Sequence, residues 1–180
     1  MSDAEIRRFW RLSWLSALQA FADRDTQQRR WLDPKERNPS YSFVECMADY
    51  FDGAAYLGQE DAYRKRLEWG HLSKAEAHTV AGFHALADAY QAPCDEWDAA
   101  TILADPAWQE VVASAEWAQQ KLLPLLSGPD EIEALTQPPL WSEKDGSYYA
   151  RLPGTAIIPA AREKRGLRAM LASIKLWLVG

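Results

Sequence analysis

Every histidine in the chain falls within one stretch, Glu68 to His84 (EWGHLSKAEAHTVAGFH), as His71, His78 and His84. The stretch opens with Glu-x-x-His, which supplies one carboxylate and one imidazole to a di-iron bundle. Such a bundle needs the motif twice, with two further glutamates on facing helices, and this chain holds it once. The zinc-protease spacing His-Glu-x-x-His is absent. His78 and His84 are six residues apart, so on one helix they point roughly 120° away from each other and cannot share an ion. His71 precedes Ser73, which reads as a helix cap and places His71 outside that helix. We therefore expect no metal and no cofactor from these residues.

His84 shares a helical stripe with Ala77, Val80 and Ala87. The plain reading is a core histidine with one hydrogen-bond partner. The sharper reading is a general base in a bundle pocket, oriented by Asp88 one turn later. His84 and Asp88 are thus the catalytic candidates. Glu45, Asp49 and Asp52 form a second row that can do acid–base work or hold a divalent ion. They fall opposite the apolar stripe of Phe43, Met47, Tyr50, Phe51, Ala54 and Leu57, which predicts a solvated row.

Two tryptophans point toward binding instead of catalysis. Trp97 sits in the acidic run Asp95-Glu96-Trp97-Asp98. Trp117 lies opposite the stripe Trp108, Val112, Ala115, Leu122 and Leu126, among Glu110, Ala113 and Lys121. A tryptophan placed there either packs under the segment 137–160 or waits for a partner. Together these residues describe an acidic, tryptophan-anchored docking surface. Nucleophile motifs are missing: there is no Gly-x-Ser-x-Gly and no cysteine with a nearby histidine. Neither Gly-x-x-x-x-Gly-Lys nor Gly-x-Gly-x-x-Gly is present, so no phosphate loop is expected.

The elements that must position these residues read mostly as helix. Ser2 with Glu5 opens one over residues 3–30, whose stripe is Ile6, Trp10, Trp14, Ala17 and Phe21. Asn38-Pro39 breaks the chain. Further helices are expected over about 40–57 and 59–69, stopped by Gly58 and Gly70. Ser73 with Glu76 caps one that runs to about Tyr90. Asp105-Pro106 starts one that runs to about Leu123, before Pro124. Residues 127–160 are punctuated by prolines, and Asp145-Gly146 between WSEK and SYYARL signals a hairpin. A basic amphipathic helix closes the chain over about 161–179, with Leu167, Met170, Leu171, Ile174 and Leu178 on one face, flanked by Arg162, Arg165, Arg168 and Lys175. It either docks on the rest of the protein or lies on a membrane surface.

The totals bound the function. The chain has 180 residues and a net charge of −6. Residues 31–150 carry eight basic against twenty-one acidic groups, while residues 151–180 carry six basic and one acidic. Such an acidic body argues against nucleic acid as a partner and is compatible with a basic protein. Nine Trp, seven Tyr and five Phe predict a rigid core of large rings. Two widely spaced cysteines, Cys46 and Cys94, read as reduced thiols of a cytoplasmic protein. Charges from the third residue onward predict no signal peptide, and no apolar window is long enough to span a membrane.

The expected fold is mainly α: one domain, an irregular bundle of about six helices with a proline-rich arm near 137–160. The expected function is that of a non-enzymatic protein-binding module. On size and charge alone, it is analogous to immunity proteins that neutralise a basic partner. The alternative is a bundle enzyme or small-ligand binder with a pocket near His84. Attachment to a membrane through 161–179, or homo-oligomerisation, are further readings.

Overall fold

The computed structural model describes residues 2–33, 35, 42–138, 140–142 and 147–149. The first helix, α1 (Asp3–Ala22), starts at the expected capping box. The Glu5 amide donates to the Ser2 hydroxyl, and the Ser2 amide donates back to the Glu5 carboxylate at 2.6 Å. Trp10, Trp14, Ala17 and Phe21 are buried, whereas Ile6 at the head of that stripe stays exposed.

The helix expected to reach residue 30 breaks at Asp23. That residue leaves the helical backbone (φ −93°, ψ 71°) and caps α2 (Arg24–Trp31), accepting from the Thr26 amide at 3.0 Å. Its other oxygen accepts from the Thr26 hydroxyl at 2.7 Å. The break leaves carbonyls at the end of α1 without helical donors. Gln27, fully buried, supplies them: its Nε2 donates to the Ala20 and Phe21 carbonyls at 2.8 and 2.9 Å. An aspartate followed by no glycine or proline hides such a break from a periodicity reading.

The helix expected over 40–57 is shorter, α3 (Phe43–Phe51), because Ser42 and Glu45 form a second capping box. Gly53 turns the chain away: a Cβ there would meet the Asp49 Cα at 2.9 Å, so only glycine fits. α4 (Ala62–Glu68) ends before Gly70, whose φ of 66° is the left-handed conformation a glycine stop supplies. α5 (Lys74–Ala89) opens at the Ser73–Glu76 box as expected. Next come α6 (Ala99–Ala104), capped by Asp98, and α7 (Pro106–Leu122), capped by Asp105. A 3₁₀ turn, Leu123–Leu125, carries Pro124, and α8 (Pro129–Thr136) follows.

The described residues thus form a mainly helical bundle with eight α-helices. Five of the six expected helices fall among these residues; they become eight because Asp23 divides one helix and because α6 and α8 lie in segments expected to be connections. Strands β1 (Leu140–Ser142) and β2 (Ser147–Tyr149) pair antiparallel, with Leu140 opposite Tyr149, where a hairpin was signalled. The turn at Asp145-Gly146, the break at Asn38-Pro39 and the amphipathic segment 161–179 lie outside the described residues.

α1 runs through the middle of the bundle and packs on α3, α7 and α8, while α5 packs on α7. At the centre, the Phe21 ring lies 5.1–5.6 Å from the rings of Tyr50, Phe83 and Trp108. Trp108 also meets Phe43 and Tyr90, at 5.2 and 5.1 Å. Edge-to-face and tilted pairs at these separations are favourable beyond the area they bury. Among the described residues, no helix is long and apolar enough to cross a membrane.

Candidate functional site

His84 is half-buried on α5, wedged among the rings of Tyr50, Phe51 and Tyr63 at 4.9–5.8 Å. Its Nδ1 is buried with no hydrogen-bond partner, so the single partner expected of a core histidine is missing at that atom. Asp88 is exposed and forms no hydrogen bond with it; its charge acts only at a distance. Beside His84 runs a short polar chain. Trp14 Nε1 donates to the Tyr63 hydroxyl at 3.3 Å, and the Tyr63 and Tyr50 hydroxyls are 2.7 Å apart. Burial pushes both phenols up, Tyr63 to about 12.

Burial lowers the His84 pKa below its ordinary 6.5, and the Asp88 charge only partly opposes this. Because the folded pKa is depressed, neutral His84 contributes stability above pH 6.5 that is lost as the pH falls through the folded value. His71 is shifted the same way. Asp49 is shifted oppositely: protein around its carboxyl, though the residue remains exposed, and Glu45 push it up to about 6. A variant comparison isolates His84. Between pH 7 and 5, the urea midpoint of wild type should fall more steeply than that of His84→Leu. Parallel curves would show that His84 does not titrate with folding.

Glu45, Asp49 and Asp52 are all exposed residues, as expected of the row, although the protein around the Asp49 carboxyl leaves that group only partly solvated. The acidic run is organised by its own loop. Asp95 accepts from the Trp97 amide at 2.9 Å, and Asp98 accepts from the Thr101 amide and hydroxyl at 3.2 and 2.8 Å. Those hydrogen bonds hold the Asp98 carboxyl below its usual range. Trp97 is 63% exposed and Trp117 53% exposed, the latter with the Lys121 ammonium 6.0 Å from its ring.

A concavity among the described residues lies elsewhere. A cleft of about 800 Å³ opens between the first turns of α1, the connection from α4 to α5, and the start of α8. Arg7, Arg8 and Arg11 line it from α1, Trp69 and His71 from the connection, and Asp130 and Glu131 from α8. Arg11 uses four of its five N–H donors: it donates to both Glu131 oxygens, to Glu76 Oε1 at 2.7 Å and to the His71 carbonyl at 2.9 Å. Glu76 also caps α5 through the Ser73 amide. Burial works against the Glu76 charge, but Arg11 and the Ser73 amide outweigh it and leave the carboxyl below its usual range. Arg8 pairs with Asp130 at 2.7 Å.

On the cleft's aromatic side, the Arg66 guanidinium sits 4.7 Å from the Trp10 ring centre and 5.2 Å from that of Trp69. Arg66 Nη1 lies 3.3 Å from His71 Nδ1. A guanidinium only donates, so Nδ1 accepts and the neutral ring carries its proton on Nε2. Burial first, then the charges of Arg66 and Arg7, lower the His71 pKa and favour that neutral form.

Sequence reasoning placed neither this cleft nor its arginines. The Ser73–Glu76 box was readable, but the Arg11 partner of Glu76 lies 65 residues away. Among the described residues, no three His, Cys, Asp or Glu side chains converge as metal ligands. Burial raises the pKa of both Cys46 and Cys94, keeping them as thiols, the poorly nucleophilic form. The fold therefore presents two kinds of surface: a polar cleft with an indole wall, and separate exposed tryptophans. No family model matches the chain, and neither a curated protein nor a solved structure matches it.

Proposed function

We propose that this chain is a cytoplasmic protein-binding module without catalytic activity of its own. The observation that carries the reading is the exposure of Trp97 and Trp117. Folding buries Trp10, Trp14 and Trp108 but leaves these two indoles 63% and 53% in water. Exposed indoles are over-represented among the residues that dominate binding energy at interfaces. The loop hydrogen bonds of Asp95 and Asp98 hold Trp97 within a row of negative charge, and Glu96 adds an exposed carboxylate there. A basic protein is the complementary partner, and neutralising such a partner in the manner of an immunity protein fits the acidic charge of residues 31–150.

Affinity capture from the host, with the captured protein then purified and titrated, tests this. Wild type should bind a basic protein stoichiometrically. Trp97→Ala or Trp117→Ala should weaken that binding by about thirtyfold, the equivalent of a 2 kcal/mol hot spot, with an unchanged circular dichroism spectrum. Affinity untouched by both substitutions would overturn the reading.

A further inference from the structure

The cleft at the head of α1 has a different character from the exposed tryptophans, and its hydrogen-bonding inventory points to a different ligand. Of its charged groups, Arg8 is paired with Asp130, and Arg11 with Glu76 and Glu131. Arg7 is exposed and makes no hydrogen bond or ion pair among the described residues. His71 is only 8% exposed and lines the cleft; its Nδ1 is occupied by Arg66, and its Nε2–H has no acceptor among the described residues. The unused groups are thus mainly donors, one of them cationic. Among the described residues Asp3 is the lining carboxylate without an ion pair, and it sits at the first residue of α1, where the helix dipole offsets its charge.

The wall of the cleft is apolar and held in place. Trp69 keeps 58% of its surface in water, while Arg66 stacks between it and Trp10, and the His71 ring packs 5.6 Å from each indole. Ile6, exposed at the head of its stripe, lines the same cleft. A volume of about 800 Å³ lies within the range of small-molecule sites, which combine an apolar wall with a few placed polar groups. We propose that this cleft binds a small organic anion: its carboxylate or phosphate meets Arg7 and the His71 Nε2–H, and its flat apolar body lies on Trp69.

The full chain, labelled with ¹⁵N, is titrated with 2-naphthoate, with the neutral 2-naphthylmethanol and with inorganic phosphate. The Trp69 indole signal is assigned through Trp69→Phe. Naphthoate should shift that signal saturably, with a dissociation constant of about 1 mM or tighter. Arg7→Gln should weaken binding about tenfold, the effect of losing one charge-assisted contact. Arg64→Gln, the same charge change outside the cleft, should not. Arg7 is exposed on a helix, so an unchanged urea midpoint will show that its variant is folded. No saturable shift, equal binding of the alcohol, or indifference to Arg7→Gln would each overturn the proposal. Phosphate binding as tightly as naphthoate would overturn the part played by Trp69.

Discussion

Trp108→Ala should lower the unfolding free energy by about 3–5 kcal/mol, the usual cost of emptying a large aromatic site. Trp108 is 1% exposed and contacts Phe21, Trp31, Phe43 and Tyr90, so α1, α2, α3 and the residue that ends α5 lose a shared neighbour. Its effect extends to the backbone. Trp108 Nε1 donates at 3.2 Å to Gln27 Oε1, and the same Gln27 amide holds the carbonyls at the broken end of α1. Alanine therefore creates a cavity and also leaves a buried acceptor unpaired, which itself costs about 1–3 kcal/mol. Trp108→Phe keeps most of the ring contact and loses the donor, so its cost should be smaller and close to that second term. Urea unfolding followed by circular dichroism measures both. A loss below about 1 kcal/mol for the alanine variant would show that the ring cluster does not organise the core.

The second large effect concerns Arg11. Removing one partner of a buried ion network leaves uncompensated charge, at a cost of about 3–5 kcal/mol. Arg11→Met should reach that range, because Glu76 and Glu131 would face each other without the guanidinium both now bind. The triple variant Arg11→Met, Glu76→Gln, Glu131→Gln should recover more than half of the loss. Glutamine can still close the capping box at the start of α5, and no charge is left buried. Urea midpoints at neutral pH separate the outcomes. If the triple variant is no better than Arg11→Met, the arginine acts by packing and not by charge.

Several features decided within a few residues were legible. The boxes Ser2–Glu5 and Ser73–Glu76 and the Asp105-Pro106 start each depend on groups three positions apart or fewer, so sequence determines them. The buried stripe of α7 and the exposure of the carboxylate residues on α3 follow from helical periodicity against one core. The division at Asp23 was not legible: its cap on Thr26 is local, but the Gln27 and Trp108 groups that secure the broken end come from separate helices. The cleft escaped for the same reason. Arg11 joins Glu76 and Glu131 across 65 and 120 residues, and Arg66 finds Trp10 only after α1 and α4 have packed. Periodicity shows which face of a helix turns inward; which charges and rings meet there is settled only when the helices dock, because packing geometry and not chain order sets those distances.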